Sequence, residues 1–383
     1  MRKIHSILIL AAILCAASLA ASAQTAGGAS GYRPVNPQAT PEARDLLRFL
    51  YSIKGEYTLA GQHNFTSSLG RYDSLVHSIT GKYPVVWGGD LSFMAEGDSA
   101  ANFQHCGPMN LTVPFDSFAF NRRSKQELRQ DLINEAKRKY AEGRIITLMW
   151  HCCFPSEGDE CDGSSIWRVG RLPSQEEWNS LVTSGTPLNN AWRRQVDAIV
   201  PCLKQLHSER IPVLWRPYHE MNGVWFWWCN KPGENGFKKL WIMMYDYLVG
   251  HHGLDNLLWV WNTNAPRNRL NDEAGPYPDF FPGTEYVDVL AADVYRRDYK
   301  QSHHDDLLAV GNNKLISLGE VGQLPRPAQY DAQRSWSWFM VWGYFIGGRF
   351  ASDEEVRAIY HHPRTVTLDM IDFSGHTYKL RRK

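Results

Sequence analysis

Between Trp215 and Trp228 the chain reads WRPYHEMNGVWFWW, which sets a guanidinium (Arg216), an imidazole (His219), a carboxyl (Glu220) and four tryptophans within fourteen residues. A strand that only filled a core would stay apolar, because buried ionisable groups need partners. Here Val213-Leu214-Trp215 gives way to Arg216, His219 and Glu220, as expected of a strand running out of a core into a cleft. Aromatic faces suit the apolar C–H faces of pyranose rings, while a carboxyl and an imidazole suit hydroxyls and a glycosidic oxygen. A second carboxyl, Glu320, ends the short apolar run KLISLGEVG from Lys314 to Gly322, between two glycines that permit close approach. Two carboxyls at the ends of two strands are what glycoside hydrolysis requires, one to protonate the leaving oxygen and one to attack or stabilise the anomeric carbon.

The elements that must carry these residues can be read along the chain. Eight short apolar runs end in polar or aromatic residues: Tyr57–Asn64, Tyr83–Leu91, Arg144–His151, Pro212–Glu220, Asn256–Asn264, Val287–Tyr295, Lys314–Gly322 and Phe339–Phe345. Helical periodicity falls at Ser124–Glu142, Ala191–Glu209, Gly236–Gly250 and Ala328–Ser337. Alternation of strand and helix predicts one α/β domain, a parallel (β/α)₈ TIM barrel over residues 41–378. In such a barrel chemistry gathers at the C-terminal strand ends, which here carry His63, Asp90, His151, Glu220, Asn264, Tyr295, Glu320 and Trp342. Asp90 and Asp293 are candidates for orienting catalytic side chains. The pairs His251-His252, His303-His304 and His361-His362 read as solvated.

Residues 1–23 have the pattern of an export signal: basic Arg2 and Lys3, an apolar stretch from Ile7 to Leu19, and small residues Ala21-Ser22-Ala23 before the cleavage point. The apolar stretch is shorter than a membrane span, and Leu14 before Cys15 is bulkier than lipid attachment favours. An exported, soluble, monomeric protein is expected, periplasmic or secreted. Residues 24–40, rich in Gly, Ala, Ser and Pro, read as a flexible leader. Loss of Arg2 and Lys3 takes the 41 basic residues to 39 against 40 acidic ones, a balance that argues against a nucleic-acid partner. Six cysteines then remain, and in an oxidising compartment Cys153 and Cys161, bracketing a short Gly/Asp/Glu-rich loop, are suited to a disulfide, with Cys152 competing. The cluster of His151, Cys152, Cys153, His219 and Glu220 fits no common zinc-ligand spacing, and the chemistry calls for no metal and no cofactor.

With these residues in view, the chain resembles glycoside hydrolase family 26, the retaining β-mannanases and relatives. The resemblance is carried by RPYHEMNGVWFWW on the fourth strand, GEVG on the seventh, Trp150-His151 on the third, ADVY at Ala292–Tyr295 on the sixth, and the ending AIYHHPRTVTLD from Ala358 to Asp369. By position it implies Glu220 as general acid/base and Glu320 as nucleophile. It further implies that Tyr295 hydrogen-bonds the nucleophile, that Arg216 lowers its pKa, and that His219 contacts the nucleophile or the sugar. His151, Trp225 and Trp342 would hold the sugar on either side of the scissile bond. A retaining enzyme would place the two carboxyls about 5–5.5 Å apart. The polysaccharide substrate implied is β-1,4-mannan; a β-1,3-1,4-glucanase or β-1,3-xylanase remains open within the family, and a non-catalytic sugar-binding barrel outside it.

Overall fold

The computed structural model describes residues 32–65, 69–91, 124–158, 161, 163–168, 170–348 and 350–381. The expected export signal at 1–23, the first part of the leader and Cys106 lie outside the described residues. From Pro34 onward the chain forms one compact unit. Eight strands are buried along their whole length, as a parallel sheet covered on both faces requires: β1 (Thr58–His63), β2 (Val86–Asp90), β3 (Ile145–Trp150), β4 (Val213–Pro217), β5 (Leu257–Asn264), β6 (Val289–Val294), β7 (Leu315–Val321) and β8 (Trp336–Val341). They pair in sequence order, and β1 lies parallel to both β2 and β8, which closes the barrel. The expected (β/α)₈ architecture is therefore present.

Helices α1 (Pro41–Ser52), α2 (Arg71–Thr80), α3 (Lys125–Ala141), α4 (Pro187–Ser208), α5 (Phe237–Tyr245), α6 (Gln301–Val310), α7 (Pro327–Ala332) and α8 (Asp353–Tyr360) cover the outside. Local sequence starts them: Ser124 with Glu127 and Ser352 with Glu355 form reciprocal capping boxes, while Thr186 caps α4 ahead of Pro187 at its first position. Between β5 and β6 the chain makes two 3₁₀ turns, Tyr277–Asp279 and Thr284–Tyr286, so this connection runs as a long loop over the barrel mouth. Among the described residues no helix is long and apolar enough to cross a membrane.

Several expectations are corrected. The eighth strand begins at Trp336 rather than Phe339 and ends at Val341, and α7 stops at Ala332 rather than Ser337. Trp336-Ser337-Trp338-Phe339 is buried in register with β1, whose Thr58 hydroxyl donates to the Trp336 carbonyl at 2.8 Å, so sheet pairing overrides the helical periodicity. The fourth ladder ends at Pro217, which has no N–H to donate, and Tyr218 and Glu220 take positive φ of 50° and 57°. The leader is fixed well before residue 40: Val35 N donates to Asp288 at 2.7 Å and Asn36 to the Asp255 carboxylate at 2.9 Å, because a carboxylate buried below the barrel needs donors. His303 and His304 are buried on α6, where the Ser335 amide donates to His304 Nε2 at 3.2 Å, rather than solvated. As expected, Cys153 and Cys161 are joined by a disulfide with Cα atoms 5.9 Å apart.

Candidate active site

The C-terminal ends of the strands surround a cleft of about 530 Å³. Glu220, Glu320, His151, His219, Trp225, Tyr295 and Trp342 line it. Arg216, Asp90 and Asp293 lie a layer below, fully buried, each against a residue of the wall or its support. All the site residues expected from sequence thus gather at one end of the barrel. Of the four tryptophans in the fourth-strand motif only Trp225 faces the cleft; Trp215, Trp227 and Trp228 are buried. Trp227 and Trp228 donate to the carbonyls of Cys152 and His219, at 2.9 and 2.7 Å, and so brace the loop that carries Glu220. Trp336 and Trp338 belong to the core, which leaves Trp342 as the aromatic of the eighth strand end, stacked on His63 with ring centroids 4.0 Å apart.

Glu220 sits in a turn held from both sides. Its N–H donates to the Asn262 carbonyl at 2.7 Å, and the Gly223 N–H returns to its own carbonyl at 2.9 Å. Positive φ at a non-glycine residue costs on the order of 1 kcal/mol and persists where neighbours over-determine it. The turn aims the side chain across the barrel mouth, where Trp225 Nε1 donates to Oε2 at 2.7 Å and the Asn264 amide donates to Oε1. On β7, Glu320 accepts at Oε2 from the hydroxyl of Tyr295, which follows β6, at 2.7 Å, while His219 Nε2 and Arg216 Nη2 lie 3.6 and 3.8 Å from Oε1. Gly319 is required immediately before it: a Cβ there would meet Asn262 Oδ1 at 1.9 Å and Asp293 Oδ1 at 2.8 Å. His151 donates to Asp90 through Nδ1 at 2.5 Å, and its ring lies edge-on to that of His219 at 4.5 Å.

Oxygen atoms of Glu220, Glu320 and Asp293 all approach within 4.8 Å of one another, so they cannot all be ionised against the one guanidinium of Arg216. Burial, and then the charge of Glu320, push the Glu220 carboxyl up to about 7, with Arg267, Asn264 and Trp225 opposing. Burial, and then the charges of Glu320 and Glu220, raise Asp293 well above its usual range. Burial raises Glu320 as well, but Arg216, the Tyr295 hydroxyl and His151 act to keep it charged. His219 is held neutral by burial and by His151 and Arg216 beside it. A protonated carboxyl facing an ionised one across a few ångströms, in a cleft with aromatic walls, can donate a proton to a leaving oxygen on one side and attack carbon on the other. Asn262, which bridges Arg216 and Asp293, and Arg267 with Asp272 at the rim also belong to the site, and sequence reading passed over them. Of these, Asn262 carried a signal, since a polar residue inside an otherwise apolar strand asks for a buried partner.

The model of Glycosyl hydrolase family 26 matches residues 35–105 and 117–370. The chain belongs to this family. A solved GH26A from Muricauda sp. MAR_2010_75 is 42% identical, with a TM-score of 0.76, over 88% of this chain and all of that one. A mannan endo-1,4-beta-mannosidase of Thermothelomyces thermophilus is 32% identical over 88% of this chain. A beta-mannanase from a symbiotic protist of the termite Reticulitermes speratus, solved with a gluco-manno-oligosaccharide, is 25% identical with a TM-score of 0.68, over 88% of this chain and 97% of that one. The chain spans 62% of the Thermothelomyces protein and 50% and 55% of two Piromyces mannosidases.

Proposed function

We propose that this chain is an endo-acting β-1,4-mannanase that cleaves mannan, glucomannan or galactomannan with retention of configuration. The observation that carries the reading is the approach of Glu220 and Glu320 oxygens within 4.8 Å, a short separation that supports direct attack by one carboxyl and proton donation by the other. Glu320 attacks the anomeric carbon while Glu220 gives its proton to the departing oxygen. A water deprotonated by Glu220 then releases the glycosyl-enzyme. Tyr295 and Arg216 hold the nucleophile ionised, and Asp90 fixes His151 through Nδ1. His151, His219 and Glu320 are the polar groups placed to meet the axial 2-hydroxyl that distinguishes mannose from glucose, and Trp225 and Trp342 supply the faces for the rings. A site built to hydrogen-bond a hydroxyl rejects the epimer that leaves those groups unpaired. The mannanase names of the relatives support the same substrate class. The protein acts after export, supported by the pattern of residues 1–23 and by the Cys153–Cys161 bond, and as a monomer, a reading with which a cleft holding both carboxyls and their donors in one chain is compatible.

Two variants of the purified protein test this. Glu320→Ala should lose activity on every substrate. Glu220→Ala should still react with an aryl β-mannoside bearing a good leaving group, and azide should speed its turnover to the β-configured azide, because a small anion needs no base. An α product from Glu220→Ala, or higher activity of the unaltered protein on lichenan or β-1,3-xylan than on galactomannan, would overturn the reading.

A further inference from the structure

Arg267 stands three residues beyond the end of β5, in the long connection to β6. Its own backbone is pinned by a two-way bridge with Ala274, at 3.0 and 2.9 Å. Its guanidinium donates to three acceptors on two residues. Nε donates to the Asp272 carbonyl at 2.8 Å, Nη2 pairs with the Asp272 carboxylate, and Nη1 donates to Asn264 Oδ1. The plane also lies 5.0 Å from the centroid of the Trp225 ring. A surface arginine needs only Asp272 for company. The two further contacts go to Asn264 and Trp225, which are the two donors to Glu220.

The arrangement has a directional logic. An amide whose oxygen is occupied by a guanidinium must present its NH₂ to the other side, so Arg267 sets which way Asn264 faces Glu220. An indole stacked beneath a cation is held in one rotamer, so its N–H stays on Oε2. Asp272 is shared with Arg296, the neighbour of Tyr295, which ties the clamp to the side of the cleft that bears the nucleophile.

We propose that Arg267 is a positioning residue for the acid/base, bracing Asn264 and Trp225 against the two oxygens of Glu220 so that its proton points into the cleft. This rests on the assignment of Glu220 made above. The positive charge of Arg267 also opposes the burial that raises Glu220, so its removal should move that group's titration to higher pH.

The test compares Arg267→Met, Arg267→Lys and Glu220→Ala on mannan and on an aryl β-mannoside with a good leaving group. In Arg267→Met the alkaline limb of kcat/KM should move up by about one unit. Turnover of mannan should fall by about tenfold or more, with a much smaller loss on the aryl glycoside, whose departure needs little proton transfer. Arg267→Lys keeps the charge without the planar fork, so the limb should stay near its original position while part of the rate is lost. Equal losses on both substrates with an unmoved limb in Arg267→Met would overturn the proposal. Should that variant fail to fold, Arg267→Lys decides by the same comparison: a greater loss on mannan supports the proposal and an equal loss overturns it. Equal losses in Glu220→Ala would sink the assignment of Glu220 and the proposal with it, whereas a leaving-group difference seen there but absent from Arg267→Met overturns the proposal alone.

Discussion

A carboxyl that keeps its proton near neutrality does so at a cost to folding, and Glu220 shows the sign. In the unfolded chain it ionises near its usual 4.5, while in the fold burial and Glu320 hold the proton to about 7. Below 4.5 both states are protonated and nothing is lost. As pH rises from 4.5 to 7 the unfolded chain releases a proton that the folded chain retains, so stability falls through that window and the full deficit is present above 7. A shift of this size corresponds to about 3 kcal/mol. Glu220→Gln, neutral at every pH, should therefore raise Tm at pH 8 by several degrees, with the gain fading below pH 5 while activity is lost. Thermal unfolding at both pH values checks this, and an equal gain at each would contradict it. The identity of Glu220 and Glu320 was legible in the sequence because each interrupts an apolar run with a charge. The partners of Glu220 were not: Asn264 was visible only as a strand end, and Arg267 reaches Glu220 through contacts that no spacing encodes.

At the scale of elements, the barrel could be read because parallel strands covered on both faces appear as apolar runs, and the chemistry follows where those runs stop. The eighth strand is not legible in the sequence because Trp336 to Phe339 is as compatible with a helix end as with a strand, and only pairing with β1 decides. The tryptophans misled in another way. Their abundance points to sugar, yet Trp227 and Trp228 serve as donors that hold the turn after β4, and composition cannot separate a platform from a brace. The loop after β3 is a further brace, since His151 begins it and the Cys153–Cys161 bond closes it. A loop of this length should contribute about 2–3 kcal/mol through restriction of the unfolded chain. Cys153→Ser with Cys161→Ser should lower Tm by several degrees and raise KM more than it lowers kcat, because the bond orders the wall beside His151 rather than the reacting carboxyls. Calorimetry and kinetics on the double variant check both halves.

For the molecule as a whole, the division of labour runs along the barrel axis. The cleft end gathers the carboxyls and their donors, while at the opposite end the backbone and side chains of residues 35–40 satisfy Asp288 and Asp255. Burial raises Asp288 to about 6 even with donors from Val35 and Trp259, so losing one donor leaves a buried carboxylate undersupplied. A chain starting at residue 41 should thus unfold at lower temperature, by about 1–3 kcal/mol, yet keep its kcat at 25 °C.

Closure of the barrel also sets an order in time. The backbone of β1 finds its β8 partner 279 residues later, Leu59 beside Trp338 and Gln62 beside Val341. During synthesis the first strand therefore waits, half-paired, until nearly the whole chain has emerged, and the stack of His63 on Trp342 forms only at the end. The wall of the cleft at the eighth strand end is among the last parts of the molecule to exist, which leaves an unfinished chain exposed along one open sheet edge.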